Sequence, residues 1–132
     1  MSGFETITKK NILIVDESGF SRICSAYLEA DEAFVSVTID DPQTFIYRKS
    51  LEDFSLLITS FPVSSPVYEN IKKVSIPVVV LSDRLNLELI DFLKSLGNSY
   101  CMMKPLDYGR FKNLIKIIAN GQPELKNGYT IT

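Results

Sequence analysis

The stretch IPVVVLS, Ile76 to Ser82, is apolar at six consecutive positions and ends on a hydroxyl. Val78 to Val80 are β-branched, and neither alternating face of the run carries a polar side chain. A strand of that kind is buried on both faces, which is the situation in a parallel sheet covered by helices. Downstream, Leu85, Leu89, Phe92, Leu93 and Leu96 recur at helical spacing until Gly97 stops the pattern. SYCMM, Ser99 to Met103, reads as the next strand. Asp107 is placed to cap a last helix whose stripe is Phe111, Leu114, Ile115 and Ile118.

The same alternation continues upstream. NILIVDE gives an apolar run, Ile12 to Val15, that ends abruptly in Asp16 and Glu17. Phe20, Ile23, Cys24, Tyr27 and Leu28 then form one helical stripe. AFVSVTID alternates as a strand does, and Asp41-Pro42 is a helix start leading through Phe45 and Ile46. SLLIT, within DFSLLITSFP, is a third apolar strand, followed by a loop with at most a brief helix. Five strands alternating with about five helices imply right-handed crossovers in a parallel sheet. The expected fold class is α/β, a doubly wound sandwich around a five-stranded parallel sheet. Residues 1–120 are expected to form this domain and 121–132 a C-terminal tail or linker, with Asn127-Gly128 as a turn signal.

Composition narrows the chemistry. The 132 residues are 45% hydrophobic and 23% charged, with a formal net charge of −2. That suits one domain with a proper core, and it gives no basic footprint for nucleic acid or an anionic membrane. No apolar run reaches membrane-spanning length, and MSGFETITKKN lacks the apolar segment of a secretion signal, so a cytoplasmic location is expected. Cys24 and Cys101 read as reduced core cysteines. The sequence contains no histidine, which excludes phosphohistidine carriers, Ser-His triads and imidazole metal sites.

In a doubly wound sheet the site lies at the carboxyl ends of the strands. Asp16 and Glu17 end the first strand, Ser82 and Asp83 the fourth, and Lys104-Pro105 the fifth. Each is ordinary alone: acids favour a helix start, a hydroxyl caps, and lysine before proline makes a turn. Together they put two acids, a hydroxyl and a lysine around one crevice, a set suited to Mg²⁺ and a phosphoryl group.

ILIVDES, IPVVVLS and GNSYCMMKPLD, in that order and at fitting separations, resemble the receiver domain of two-component response regulators over roughly Asn11 to Asn120. The resemblance implies a flavodoxin-like (βα)5 doubly wound sandwich with a five-stranded parallel sheet of order 2-1-3-4-5, in which Asp16 and Glu17 hold the metal and Ser82 contacts the phosphoryl group. It also implies that Lys104 pairs with the phosphoacceptor and that the Lys104-Pro105 bond is cis. Receivers use the face of their fourth helix, fifth strand and fifth helix for partners and dimers; here that face includes Leu87, Leu106 and Tyr108. A rival patch is the SFPVSSPVY loop with Phe61, Val63 and Tyr68.

The pattern breaks at the acceptor. Counting from Asp53 or back from Pro62 places Ile58 at the family's phosphoacceptor position, and a slip of one or two residues substitutes Thr59 or Ser60. Asp83 stands where a small residue admits phosphate, and Glu17 replaces the commoner aspartate. Cys101 takes the switch-aromatic position, with Tyr100 facing the opposite side of the strand. The expected function is a degenerate, pseudo-receiver module of phosphorelay signal transduction that is not phosphorylated on aspartate. It would bind a protein partner or a second copy of itself. No enzymatic activity and no cofactor are expected, and Mg²⁺ would bind only weakly at Asp16 and Glu17. The alternative is an active receiver with an unconventional acceptor: Thr59, Ser60 or a nearby acid. A flavodoxin-like cofactor binder is opposed by the carboxylates of VDESGFS, which repel an anion where glycines and hydroxyls would cradle it.

Overall fold

The computed structural model describes residues 10–15, 20–31, 34–39, 53–121 and 128–132. The expected Asp41-Pro42 helix start and the helix through Phe45 and Ile46 lie outside them. The described strands are β1 (Lys10–Val15), β2 (Phe34–Ile39), β3 (Leu56–Ser60), β4 (Val78–Ser82), β5 (Ser99–Met103) and β6 (Tyr129–Ile131). The helices are α1 (Phe20–Glu29), α2 (Ser65–Ile71), α3 (Leu87–Leu96) and α4 (Tyr108–Ala119). All strand pairings are parallel, and the sheet order is β2-β1-β3-β4-β5-β6.

The period of two along each strand divides the core into two layers. Ile12, Ile14, Leu56, Ile58, Val79, Leu81, Tyr100 and Met102 face Cys24 and Leu28 of α1 and Phe111, Ile115 and Ile118 of α4. Leu13, Val15, Leu57, Val78, Val80 and Cys101 face Val67 and Ile71 of α2 and Leu89, Phe92 and Leu93 of α3. Val78 to Val80 are buried to within 1% of complete, as the unbroken apolar run requires. Burying each such side chain contributes roughly 1.5–3 kcal/mol.

Helix starts follow local chemistry. The Asn86 side chain accepts from the Leu89 N–H at 2.9 Å and caps α3, so Leu85 falls before the helix and stands 62% exposed. Asp107 caps α4, accepting from the Arg110 N–H at 3.1 Å, where the sequence placed it. Gly97 ends α3 at φ 83°, a left-handed conformation that favours glycine. In α1 only Cys24 and Leu28 of the described stripe are buried; Ile23 is 52% and Tyr27 36% exposed.

The sheet has one strand more than the five expected. Tyr129–Ile131, inside the stretch read as tail or linker, runs parallel to β5 with Ser99, Tyr100 and Cys101 opposite Tyr129, Thr130 and Ile131. Hydrogen bonds from the Ser99 N–H to the Gly128 carbonyl (3.0 Å) and from the Thr132 N–H to the Cys101 carbonyl (2.8 Å) close its two ends. Gly128 makes this approach feasible: at φ 79° it lies so near Gly97 that a Cβ would collide with the Gly97 carbonyl oxygen. Tyr129 and Ile131 pack on the core layer of α2 and α3.

Candidate functional site

The sheet brings the carboxyl ends of β3, β4 and β5 side by side. β3 is in register with β4 through Ser60 opposite Leu81, and β4 with β5 through Ser82 opposite Met103. The Lys104 N–H donates to the Ser82 carbonyl at 2.7 Å, extending that ladder one residue past β5. From there the Lys104 side chain crosses to β3, where Nζ donates to Ser60 Oγ at 3.3 Å. The Lys104-Pro105 bond is cis, as the family resemblance implied, and so is Phe61-Pro62.

Ile58 is not at the end of β3 but in its middle, 1% exposed, packed in the layer beneath α1 and α4. Ser60 is the last residue of β3, and its hydroxyl accepts from the lysine. Strand register explains the two-residue difference, because Ile58 pairs with Ile14 and Val79, both themselves inside strands. Thr59 is turned inward: 1% exposed, its hydroxyl donates to the Val15 carbonyl at 2.8 Å and joins β3 to β1.

Ser82 ends β4 as expected, but its hydroxyl is engaged locally. It donates to the Arg84 carbonyl at 2.8 Å and accepts from the Arg84 N–H at 3.2 Å, a tight turn that leaves the side chain 1% exposed. Asp83, next in the chain, is exposed. Asp16 and Glu17 follow directly on β1 in sequence but lie outside the described residues. Among the described residues no group of three or more His, Cys, Asp or Glu side chains is placed to hold a metal ion. Asp83 is the one carboxylate that the described strand ends supply.

Cys101 and Tyr100 face opposite layers, as the alternation required. Burial pushes the Cys101 thiol up to about 11 and raises Tyr100 as well. Tyr100 Oη is buried without a hydrogen-bond partner.

Of the expected interface residues, Leu87 is 77% exposed. Leu106 and Tyr108 are half-buried against the core, with the Tyr108 ring 5.1 Å from that of Tyr27. The rival patch gathers more than the sequence foresaw. Phe61, Val63 and Tyr68 line a groove of about 370 Å³ with Phe92, Glu88 and Asp91 of α3. The available signal was the spacing of Glu88, Asp91 and Phe92 on one side of α3.

No protein-family model matches the sequence, and no curated protein is similar to it. Solved structures are similar in fold. A Burkholderia pseudomallei protein named as pilus assembly-related superposes with a TM-score of 0.70 at 13% identity, covering 93% of this chain and 98% of that one. The Vibrio cholerae chemotaxis protein CheY4 gives 0.69 at 17% identity, covering 84% and 99%. A response regulator from Desulfuromonas acetoxidans gives 0.67 at 21% identity, covering 84% and 97%. The likeness is one of fold: a flavodoxin-like parallel sheet as in response-regulator receiver domains, carried one strand further at the β5 edge.

Proposed function

We infer that this chain is a receiver-like signalling module that works through protein contacts and not through aspartyl phosphorylation. The observation that supports it is the residue at the end of β3: Ser60, a hydroxyl and not a carboxylate. By resemblance, Lys104 is the residue that pairs with the phosphoacceptor, and here its ammonium meets a hydroxyl at 3.3 Å. A serine hydroxyl is a weak nucleophile at neutral pH, and a chain without histidine offers no imidazole base to activate it. Ser82 is committed to its own turn, and the Asp83 carboxylate beside it repels an incoming phosphoryl group. Mg²⁺ would fall to Asp16 and Glu17, two carboxylates that leave most of an octahedral shell to water. Such a site keeps the scaffold of phosphotransfer and loses its driving chemistry.

The partner, another protein or a second copy of this chain, would meet the exposed Leu87 and the half-buried Leu106 and Tyr108. One neighbour of the same fold is named for pilus assembly, which fits a receiver scaffold serving assembly contacts.

A second reading keeps Ser60 as an unconventional acceptor, favoured by the same lysine contact. Incubation with acetyl phosphate and Mg²⁺ followed by intact mass spectrometry separates the two. The interaction-module reading expects no added phosphate. A hydroxylamine-labile adduct on a carboxylate overturns it, and a hydroxylamine-stable adduct on Ser60 establishes the second reading.

A further inference from the structure

The groove between the β3–α2 loop and α3 is lined by neither Lys104 nor Ser60 and has a chemistry of its own. Three aromatic rings gather there: Phe61 and Tyr68 have ring centres 5.2 Å and 5.6 Å from Phe92, tilted by 42° and 45°. Glu88 and Asp91, both exposed, line the same groove, one turn apart on α3. Neither carboxylate is in an ion pair among the described residues, although like charges at that spacing repel. Ring faces are electron-rich, so aromatic walls beside two unpaired carboxylates favour a cation on two counts. Tyr68 already takes part in such recognition within the chain: the Lys72 ammonium lies 5.4 Å from its ring centre while pairing with Glu69 at 2.8 Å.

We propose that this groove binds an arginine side chain of a protein partner. Arginine is chosen over lysine because a planar guanidinium stacks on a ring and presents a fork of donors that can engage both carboxylates. The volume of about 370 Å³ is near the lower end of ligand pockets, roughly 300–1,000 Å³, suited to one side chain and not to a folded element. The assignment deepens the interaction-module reading by naming the partner's chemistry, and rests on it.

The probe is the blocked tripeptide Ac-Leu-Arg-Leu-NH₂, titrated into ¹⁵N-labelled full chain, with the Lys and Gln analogues alongside. Saturable shifts confined to residues 61–68 and 87–92 are expected, with Arg tighter than Lys by severalfold and no saturation with Gln. Glu88→Gln with Asp91→Asn, both at exposed positions, should weaken the Arg peptide at least fivefold, and Tyr68→Leu should weaken it while leaving the fold intact. Equal binding of the Gln analogue, equal affinity in the double variant, shifts elsewhere, or no saturable shift would each overturn the assignment. Acetyl phosphate labelling of the same wild-type sample reports on the interaction-module reading separately, so a failed titration and a failed reading cannot be confused.

Discussion

The Lys104 ammonium reaches across the sheet end to the Ser60 hydroxyl, 3.3 Å away, joining the ends of β5 and β3. A lysine held there could neutralise a carboxylate or a phosphate, and the side chain that ends β3 is neither. Acyl phosphate formation needs a carboxylate oxygen in line with phosphorus and a divalent cation over the developing charge. The wild-type protein should therefore show no hydroxylamine-labile phosphate after incubation with acetyl phosphate and Mg²⁺. Mass spectrometry of the intact chain checks this.

The two candidate acceptor positions respond differently to an introduced acid. Ile58→Asp puts a carboxylate into the layer under α1 and α4, where the wild-type side chain is 1% exposed. An uncompensated buried charge of that kind costs about 3–5 kcal/mol, so this variant should lose stability and gain no phosphorylation. Ser60→Asp instead places the carboxylate beside the Lys104 ammonium and should fold near the wild-type midpoint. Combined with Asp83→Ala, which removes the repelling charge, it has the conditions for acetyl phosphate labelling. Urea denaturation and mass spectrometry on the three variants distinguish the outcomes. Labelling of Ile58→Asp, or wild-type stability for it, would contradict the strand register.

The two-residue displacement shows what the sequence could and could not convey. Counting from Asp53 and Pro62 treats the loop after β3 as having the family's length. The strand instead begins at Leu56 and ends at Ser60, with Phe61 donating its N–H to the Leu81 carbonyl at 2.8 Å. Loop length has no periodicity to read, whereas the runs Ile12–Val15 and Val78–Leu81 do, and those strands fell where the pattern placed them. Lys104 and Ser82 were legible because each is tied to a strand end, and the cis Lys104-Pro105 bond because the family resemblance implied it. The strand β6 was not, since three residues are too few for an alternating pattern to declare itself. Its one signal, Gly128, is shared with any turn.

That glycine carries the next expectation. Gly128→Ala must hold φ 79° against the side-chain clash and drive a methyl into the Gly97 carbonyl. A loss of about 1–3 kcal/mol is expected, read as a lower urea midpoint. The Thr132 amide, which donates to the Cys101 carbonyl, should lose hydrogen-exchange protection with it, while amides of β1 and β3 keep theirs. An unchanged midpoint and an unchanged Thr132 amide would mean that β6 is not seated as described.

Burial of the thiol and phenol of β5 predicts a loss of stability at alkaline pH. Burial raises Cys101 from 9.0 to about 11 and raises Tyr100 from 10.0, because the neutral forms lose less on leaving water than the anions do. Above pH 9 the unfolded chain releases the Cys101 proton while the folded chain retains it. The unfolded state then binds fewer protons, and the unfolding free energy falls as pH rises. The contribution is fully present below pH 9 and is lost on the approach to pH 11. Urea midpoints measured from pH 8 to 10.5 should decline, and the decline should be shallower in Cys101→Ala, whatever its absolute stability. Every other ionisable group is common to both proteins, so the difference of slopes isolates the thiol. Identical slopes in the two proteins would show that the thiol ionises as readily in the fold as outside it, and would remove Cys101 from the core of the sheet.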